Sequence, residues 1–217
     1  MEDVTFTYRG QQVTYGTVLS PTGRIWMDRN LGATRVANAY NDSSAHGHYF
    51  QWGRLDDGHQ LSNSGKTATL SETDNPGHDD FILSSGDWRS SQNDNLWQLQ
   101  GQSPCPEGWR VPTQAEWEEE IATWDTQDKD GAFGSVLKLT TAGRRTGVNG
   151  TFFFIGTDCR YWSSTVSTAN AITLIASTSI SLSAIQRSNG HSVRLIKMLP
   201  LKMIGVQSLV GVSSITF

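Results

Sequence analysis

The segment from Ser163 to Gln186 constrains the fold more than any other part of this 217-residue chain. It has no charged and no aromatic residue, although tryptophans, acids and arginines flank it on both sides. From Ile172 to Ala184 the even positions are mainly apolar and the odd positions are mainly serine or threonine, with Ile175 as the exception. A period of two places alternate side chains on opposite faces of a sheet. The segment therefore predicts a strand or hairpin with one buried and one solvated face.

One helix is predicted at the sequence PTQAEWEEEIATW. Thr113 is a suitable N-cap, and Glu116 completes a capping box three residues later. Acidic residues crowd the first turns, where the helix dipole favours them. Trp117, Ile121 and Trp124 are spaced four and then three residues apart, so we expect them to share one buried face.

Short strands and long loops make up most of the remaining chain. The sequence VTFTYRGQQVTYGTVL alternates around a Gly-Gln turn and predicts a hairpin, and Trp26 lies in the next short strand. Between residues 36 and 102 the periodicity is lost, but recurring aromatic residues predict loops that are pinned to a core. We therefore predict an α+β fold with one main helix, many short strands and long loops, in a single domain over residues 1–197.

The composition supplies a core and argues against some partners. Eight tryptophans, eight phenylalanines and five tyrosines provide large apolar surfaces for one domain of this length. The net charge is −4 and no run of lysine or arginine occurs, so we expect no nucleic-acid partner. The first residues contain neither a basic nor a long apolar stretch, and we expect no signal peptide there.

The C-terminal tail, residues 198–217, is richer in apolar residues. Lys202 and Gln207 interrupt it before it reaches the roughly 18 apolar residues that a membrane span needs, so we expect no membrane insertion. Its sequence VQSLVGVSSITF is β-prone and would be an aggregation hazard as an exposed edge. We expect the tail to pair with a sheet edge or with a neighbouring subunit, and a homotrimer would suit such a contact.

Few residues indicate catalysis or a metal site. Cys105 and Cys159 have no zinc-motif spacing, and two unbonded thiols are favoured over a disulfide. The acidic sequence DTQDKDG begins like a calcium loop but lacks the glutamate at the twelfth position, so a structural calcium ion is only an alternative and no other cofactor is expected. The histidines lack a third metal ligand or a nearby nucleophile, which favours solvated loop histidines. They are His46, His48, His59, His78 and His191.

Five sequence phrases, taken in chain order, resemble one family. They are GRIWMDRNLGA, YFQWGR, PCPEGWRVPTQAEWEEE, GRRTGVNGTFFFIGTDCRYWSST and NGHSVRLIK. In this order they resemble the Fibrobacter-type major paralogous domain, over about residues 20 to 197. The resemblance implies the C-type lectin-like fold, in the branch shared with formylglycine-generating enzymes. Calcium-dependent sugar binding in this fold uses an EPN or QPD triplet with WND, and these triplets are absent from the chain.

Some proteins of this fold are the variable proteins of diversity-generating retroelements, including phage tail receptor-binding proteins. In them a C-terminal cassette is rewritten at adenines, mostly in asparagine codons, which cannot yield Lys, Glu, Gln, Met or Trp. Between Thr157 and Gly190, only Trp162 and Gln186 belong to that excluded set. The resemblance therefore implies a diversified cassette on a fixed alternating frame.

The implied frame is apolar and the implied binding surface is mainly polar. Leu174, Ile180 and Leu182 would hold the sheet, while Tyr161 and Trp162 would anchor its beginning. The outward strand positions would face the ligand, namely Thr173, Ile175, Ser177, Ser179, Ser181 and Ser183. Loop and rim positions would complete the surface, namely Asp158, Cys159, Arg160, Val166, Thr168, Asn170, Arg187, Ser188 and His191. An ordinary solvated strand rich in serine and threonine is the alternative.

The expected function is ligand binding without catalysis. A phage receptor-binding protein in the virion is the favoured form, and a cell-surface protein or glycan is the expected ligand. An undiversified bacterial surface or periplasmic domain with an adhesive or structural role is the alternative. An oxidase of the formylglycine-generating type is the remote alternative. The resemblance implies that such an enzyme has a C-terminal cysteine pair, and here only Cys159 is present, beside Arg160, which would lower its pKa.

Overall fold

The computed structural model describes residues 2–98 and 103–198. Within these ranges the chain is mostly sheet with two α-helices, which confirms the α+β class. The helices are α1 (Gln114–Ile121) and α2 (Lys129–Gly134), and a 3-10 turn spans Ser43–Ala45. The expected pairing of the C-terminal tail lies outside the described residues, apart from Met198.

The strands are short, as predicted, and among the described residues only the three strands between Cys159 and Gln186 are longer than five residues. In chain order they are β1 (Val4–Tyr8), β2 (Gln11–Tyr15), β3 (Thr17–Leu19), β4 (Ile25–Met27), β5 (Phe50–Gln51), β6 (Lys66–Thr67), β7 (Phe81–Ile82), β8 (Trp109–Arg110), β9 (Arg144–Arg145), β10 (Phe152–Phe153), β11 (Cys159–Ser167), β12 (Asn170–Ala176), β13 (Ile180–Gln186), β14 (Gly190–His191) and β15 (Ile196–Lys197).

These strands form five sheets in the part of the chain that the structure describes. The first is the N-terminal hairpin β1–β2, and the parallel pair β6–β7 is another. Two four-stranded sheets have the orders β10–β9–β14–β5 and β3–β4–β15–β8, so that strands distant in sequence become neighbours. The fifth sheet is β11–β12–β13, and its strands follow one another directly along the chain.

Helix α1 begins as its sequence predicts. The Thr113 side chain accepts a hydrogen bond from the Glu116 amide, and the Glu116 side chain bonds back to the Thr113 amide, which completes the capping box. Trp117, Ile121 and Trp124 are all buried, although the helix ends at Ile121. The Trp117 indole donates to the backbone carbonyl of Trp162 (3.2 Å), which ties the helix to β11.

Helix α2 is an element that the sequence analysis did not predict. Its six residues, KDGAFG, include two glycines, which are poor helix formers. The Asp128 carboxylate begins it by accepting hydrogen bonds from the amides of Asp130 (3.0 Å) and Gly131 (2.9 Å). The acidic sequence that resembles the start of a calcium loop therefore serves as a helix cap.

The segment with the period of two forms the hairpin β12–β13. Its register pairs Ala176 with Ile180 at the turn and Asn170 with Gln186 at the far end, which confirms the hairpin. One face packs on the cluster around Trp117, as the alternation predicts. The expectation that every odd position faces water is wrong at Thr173, which is fully buried because β14 covers that end of the hairpin.

Four aromatic side chains pin the long loops between residues 36 and 98. Trp52, Trp88, Trp97 and Phe81 are buried, which confirms the prediction. The Trp52 indole donates to the carbonyl of Ser163 (2.9 Å), and the Trp88 indole donates to the carbonyl of Trp52 (2.7 Å). These indoles satisfy loop carbonyls that water cannot reach, so the region is ordered despite its polar composition.

Candidate functional site

One face of the β11–β12–β13 sheet points away from α1. It is termed the outer face and is defined by Arg160, Thr173, Ile175, Ser181 and Ser183. Arg160 pairs with Ile175 and Ile175 pairs with Ser181, while Thr173 pairs with Ser183. Paired residues of neighbouring strands present their side chains on the same side of a sheet. The register therefore assembles one charged, one aliphatic and three hydroxyl side chains on a single surface.

An exposed apolar loop borders the outer face. It is termed the Phe loop and consists of Phe153, Phe154 and Ile155, which are 45%, 45% and 50% exposed. The guanidinium carbon of Arg160 lies 4.7 Å from the centre of the Phe154 ring, so the loop and the outer face are in contact. Clustered apolar and aromatic side chains on a surface mark interaction sites more often than single ones do.

Phe154 has an unfavourable backbone conformation. Its φ is +64°, in the left-handed region, where a residue with a Cβ loses about 1 kcal/mol. The Phe154 carbonyl accepts hydrogen bonds from the amides of Thr157 (3.1 Å) and Asp158 (3.0 Å), and the Asp158 carbonyl accepts from the Gly143 amide (3.0 Å). The tight turn thus keeps a large apolar ring exposed against the local backbone preference.

Two arginines lie against the Phe154 ring. The guanidinium carbon of Arg144 is 5.5 Å from the ring centre, compared with 4.7 Å for Arg160. Arg160 is paired with Asp158 at 2.8 Å. Arg144 is half-buried, and no residue in the described ranges accepts a hydrogen bond from its side chain, whose Nε is enclosed. Burial and then the charge of Arg160 lower the pKa of Arg144. The corner holds two arginines and one carboxylate, so it carries excess positive charge.

Arg144 also forms part of the wall of a small cavity of about 280 Å³. The other walls are mainly hydroxyl and amide side chains, namely Ser84, Ser85, Thr146, Gln186 and Asn189. Asn189 and Gln186 are held together, because the Asn189 amide donates to the Gln186 carbonyl at 3.1 Å. The cavity is therefore polar and has a cation at one side.

His191 joins the cavity corner to the outer face. Its ring stacks on Trp162 with centres 4.3 Å apart, and its Nδ1 lies 3.1 Å from the Thr173 hydroxyl. Burial, and then the charges of Arg160 and Arg144, hold the pKa of His191 well below its ordinary value. The ring is therefore neutral near pH 7 and adds no charge to the corner.

The structure divides the predicted surface residues into two groups. Those with accessible side chains are Val166, Thr168, Asn170, Ile175, Ser177, Ser179, Ser181 and Ser183. The others are buried, which corrects their expected outward orientation, and they are Asp158, Cys159, Arg160, Thr173, Arg187, Ser188 and His191.

Each buried member has a structural partner. Cys159 lies in the apolar cluster behind the sheet, and Ser188 donates to the Ser84 carbonyl at 2.8 Å. Arg187 stacks on Trp52 and binds the Asp94 carboxylate at 2.6 Å. These side chains therefore support the surface from below and are not free to contact a ligand without rearrangement.

Sequence reasoning missed Arg144 and the Phe loop. The sequence GTFFFIG lies within a phrase that carries the resemblance, and of these residues only Phe152 and Phe153 form a strand. Three apolar residues in succession cannot all point into one core from an extended chain, because alternate side chains face opposite ways. The run of successive apolar residues, which breaks the alternation of a half-buried strand, was therefore the signal that some of them would be exposed.

The predictions for the cysteines and histidines are partly confirmed and partly wrong. Cys105 and Cys159 are free, which confirms two unbonded thiols. Burial raises the pKa of each thiol to about 12, so the reactive thiolate considered for Cys159 is wrong. The expectation of solvated histidines is wrong for His46, His59 and His191, which are buried.

Metal-ligating side chains and a second cavity are the other candidate features among the described residues. Within residues 2–98 and 103–198, no group of three or more His, Cys, Asp or Glu side chains could hold a metal ion. A larger cavity of about 670 Å³ lies beside the β1–β2 hairpin. Its main polar groups bind one another, since the Tyr8 hydroxyl lies 2.7 Å from His48 Nδ1 and the Gly32 amide donates to the Tyr15 hydroxyl at 2.8 Å.

Comparison with known proteins identifies no relative. No family model matches the chain, and neither the curated proteins nor the solved structures contain a significant match. No helix in the described ranges has the length and apolar character needed to cross a membrane.

Proposed function

We propose that this chain is a non-catalytic ligand-binding domain with the C-type lectin-like fold, and that it binds a cell-surface protein or glycan through the Phe loop and the accessible residues of the outer face, which are Ile175, Ser181 and Ser183. The observation that carries the proposal is the exposed Phe154, held in a strained conformation between two arginines. Aromatic residues and arginine dominate the energetic centres of binding surfaces. Strained backbone is concentrated at functional positions.

The scaffold beneath this surface is suited to changes in the surface. Tyr161 and Leu174 pack behind the sheet against α1, while Trp162 and His191 stack beside it. Ser181 and Ser179 are exposed to solvent. Substitution at such positions changes the ligand contacts and leaves the core intact.

The division of the predicted surface residues into accessible and buried members supports a more specific proposal. In that proposal the chain is a variable protein of a diversity-generating retroelement. The accessible members of the predicted set form the diversified positions, and the buried members form the invariant frame. We propose that the protein acts in host attachment from a phage tail or, as an alternative, from a bacterial cell surface. A homotrimer formed through the tail remains part of this proposal.

The proposal includes no catalytic role because of the chemistry of the thiols and histidines. Both thiols have a pKa raised to about 12, and the histidines at 46, 59 and 191 are buried. A nucleophile needs a lowered pKa or an adjacent base. A binding surface built from Phe154, Arg144 and serine hydroxyls needs neither.

The binding proposal is tested with the labelled domain applied to a glycan array and to a panel of bacterial cells. The Phe154→Ser variant should lose about tenfold or more of the binding, because it removes an exposed hot-spot ring. Leu19→Ser is the matched control, since Leu19 is 52% exposed but lies in β3 of another sheet. Equal effects of the two variants, or no binding to any cell or glycan, would contradict the proposal.

The diversification proposal has a separate test. The gene is sequenced deeply across a natural population of its host, and its neighbourhood is searched for a reverse transcriptase and a near-identical template repeat. We expect substitutions to concentrate at Ile175, Ser177, Ser179, Ser181 and Ser183 and to spare Thr173 and His191. A low, uniform level of change would leave an undiversified surface domain as the better interpretation.

A further inference from the structure

We propose that the cavity beside Arg144 binds one ring of an acidic sugar, with the sugar carboxylate on the Arg144 guanidinium. The proposal rests on the proposed function and specifies its ligand as a glycan that carries a negative charge. It assigns a role to a cation whose side chain lies against Phe154 but has no hydrogen-bond acceptor among the described residues.

The first argument is the unused hydrogen-bonding capacity of Arg144. A guanidinium has five N–H donors in a planar fork that matches a carboxylate. None of them finds an acceptor among the described residues, and the Nε is enclosed. Asp158 is the carboxylate of this corner, and it is paired with Arg160 at 2.8 Å. Asp158 favours the charged form of Arg144 but makes its ion pair with Arg160. A half-buried cation without a hydrogen-bonded counterion is unfavourable, and an arriving carboxylate would reduce that penalty.

The second argument is the chemistry of the walls. Ser84, Ser85 and Thr146 contribute hydroxyls, which both donate and accept hydrogen bonds. Gln186 contributes an amide with the same dual capacity, whereas the Asn189 amide already donates to the Gln186 carbonyl (3.1 Å) and accepts from the Gly147 amide (3.3 Å). A sugar ring presents several hydroxyls, each a donor and an acceptor, so neutral dual-purpose walls suit it. An acidic peptide side chain would use the cation but leave most of these groups unmatched.

The third argument is size. The cavity of about 280 Å³ lies just below the roughly 300–1,000 Å³ of pockets that enclose drug-sized ligands. This volume suits a single ring rather than an extended chain segment. Val148, which is 66% exposed, adds an apolar edge at the rim.

The position of the cavity connects it with the outer face. His191 contacts Thr173 of that face, and its strand β14 lies next to β9, which carries Arg144. A glycan whose terminal ring occupies the cavity would extend over the Phe loop, since Phe154 lies against Arg144. Positions such as Ser183 would then contact the following residues of the glycan.

The test is an NMR titration of the isotope-labelled chain with D-glucuronate, and with D-glucose as the matched neutral sugar. We expect glucuronate to shift the amide signals of Thr146 and Asn189 and to bind about tenfold or more tightly than glucose. Arg144→Gln should weaken glucuronate binding by about tenfold or more and leave glucose unchanged. Equal binding of the two sugars would overturn the proposal.

Arg35→Gln is the control, because it removes the same charge from an exposed arginine that is paired with Asp42. It should leave glucuronate binding unchanged, and equal losses in the two variants would overturn the proposal. A tetraglutamate peptide that binds the Arg144 site more tightly than glucuronate would overturn the assignment to a sugar. If glucuronate fails while Phe154→Ser still abolishes binding to cells, this inference is wrong and the proposed function stands.

Discussion

Arg144 and Arg145 are neighbours in β9, and their surroundings differ completely. Arg145 is buried and donates to the Leu61 carbonyl (3.1 Å), to the Ser64 hydroxyl (2.6 Å) and to the Ser64 carbonyl (3.2 Å). The Arg144 side chain makes no hydrogen bond to a described residue and lines a cavity. One strand therefore carries two side chains with different surroundings, since the Arg145 side chain holds loops and the Arg144 side chain lines a cavity.

The same separation recurs across the β11–β12–β13 sheet. Behind it, Leu174 and Tyr161 are fully buried against the cluster of Trp117. On its outer face, Ser181 is exposed and Ile175 is half-buried. If the two sides have separate tasks, substitutions should affect either stability or binding, and rarely both.

The largest expected effect comes from exchanging each arginine of β9 for glutamine. Arg145→Gln leaves several buried acceptors without donors, so the free energy of unfolding should fall by about 3 kcal/mol. Arg144→Gln should change it by less than about 0.5 kcal/mol. Urea unfolding at constant pH measures both, and equal losses would contradict the comparison.

The buried residue His59 should make the stability of the domain depend on pH. His59 accepts a hydrogen bond from the Gln51 amide (3.0 Å) on Nε2, and burial lowers its pKa to about 4. As the pH falls, His59 becomes protonated near pH 6.5 in the unfolded chain but only near pH 4 in the folded chain. The free energy of unfolding therefore falls by up to about 3 kcal/mol as the pH drops from about 6.5 to 4. Below about pH 4, His59 contributes no further loss of stability.

Chemical unfolding at pH 7, 5.5 and 4.5 measures this dependence. His59→Gln should be less stable at pH 7 but should show a shallower loss over the same window, because one titrating group has been removed. Stability that stays constant from pH 7 to 4.5 in the native chain would show that His59 is not held neutral by the fold.

A third prediction compares a buried and an exposed residue of the outer face, Thr173 and Ser181. Thr173→Val should lower the free energy of unfolding by about 1 kcal/mol or more, because His191 Nδ1 loses its hydroxyl partner at 3.1 Å. Ser181→Ala should change it by less than about 0.5 kcal/mol, since Ser181 is exposed. Thermal unfolding separates the two, and a larger loss for Ser181→Ala would contradict the assignment of the sides.

The smallest expected effect has the opposite sign. Phe154→Asn should stabilise the domain by about 1 kcal/mol, because asparagine tolerates the left-handed conformation that Phe154 adopts. Phe153→Asn is the control, since Phe153 lies in β10 and has no positive φ. A gain in stability with a loss of ligand binding would show that the strain at Phe154 serves recognition. Destabilisation by Phe154→Asn would mean that the ring supports the fold.

Prediction from sequence succeeded where the signal is local. The capping box at Thr113 depends on residues three positions apart, and the hairpin β12–β13 depends on alternation within one segment. It failed for α2, because its only local signal is a cap before two glycines. It also failed for the Phe loop, because apolar residues predict burial and only the neighbouring elements determine whether space for them exists.

The sequence by itself determined the α+β class, the start of α1 and the alternation that separates two sides of the C-terminal hairpin. Only the tertiary structure decided which positions on those sides meet water. Thr173 and Ser183 are paired across β12 and β13, yet Thr173 is buried because His191 covers it, and Ser183 is not. Periodicity records the direction of a side chain, whereas burial depends on the element packed opposite, which comes from a distant part of the chain.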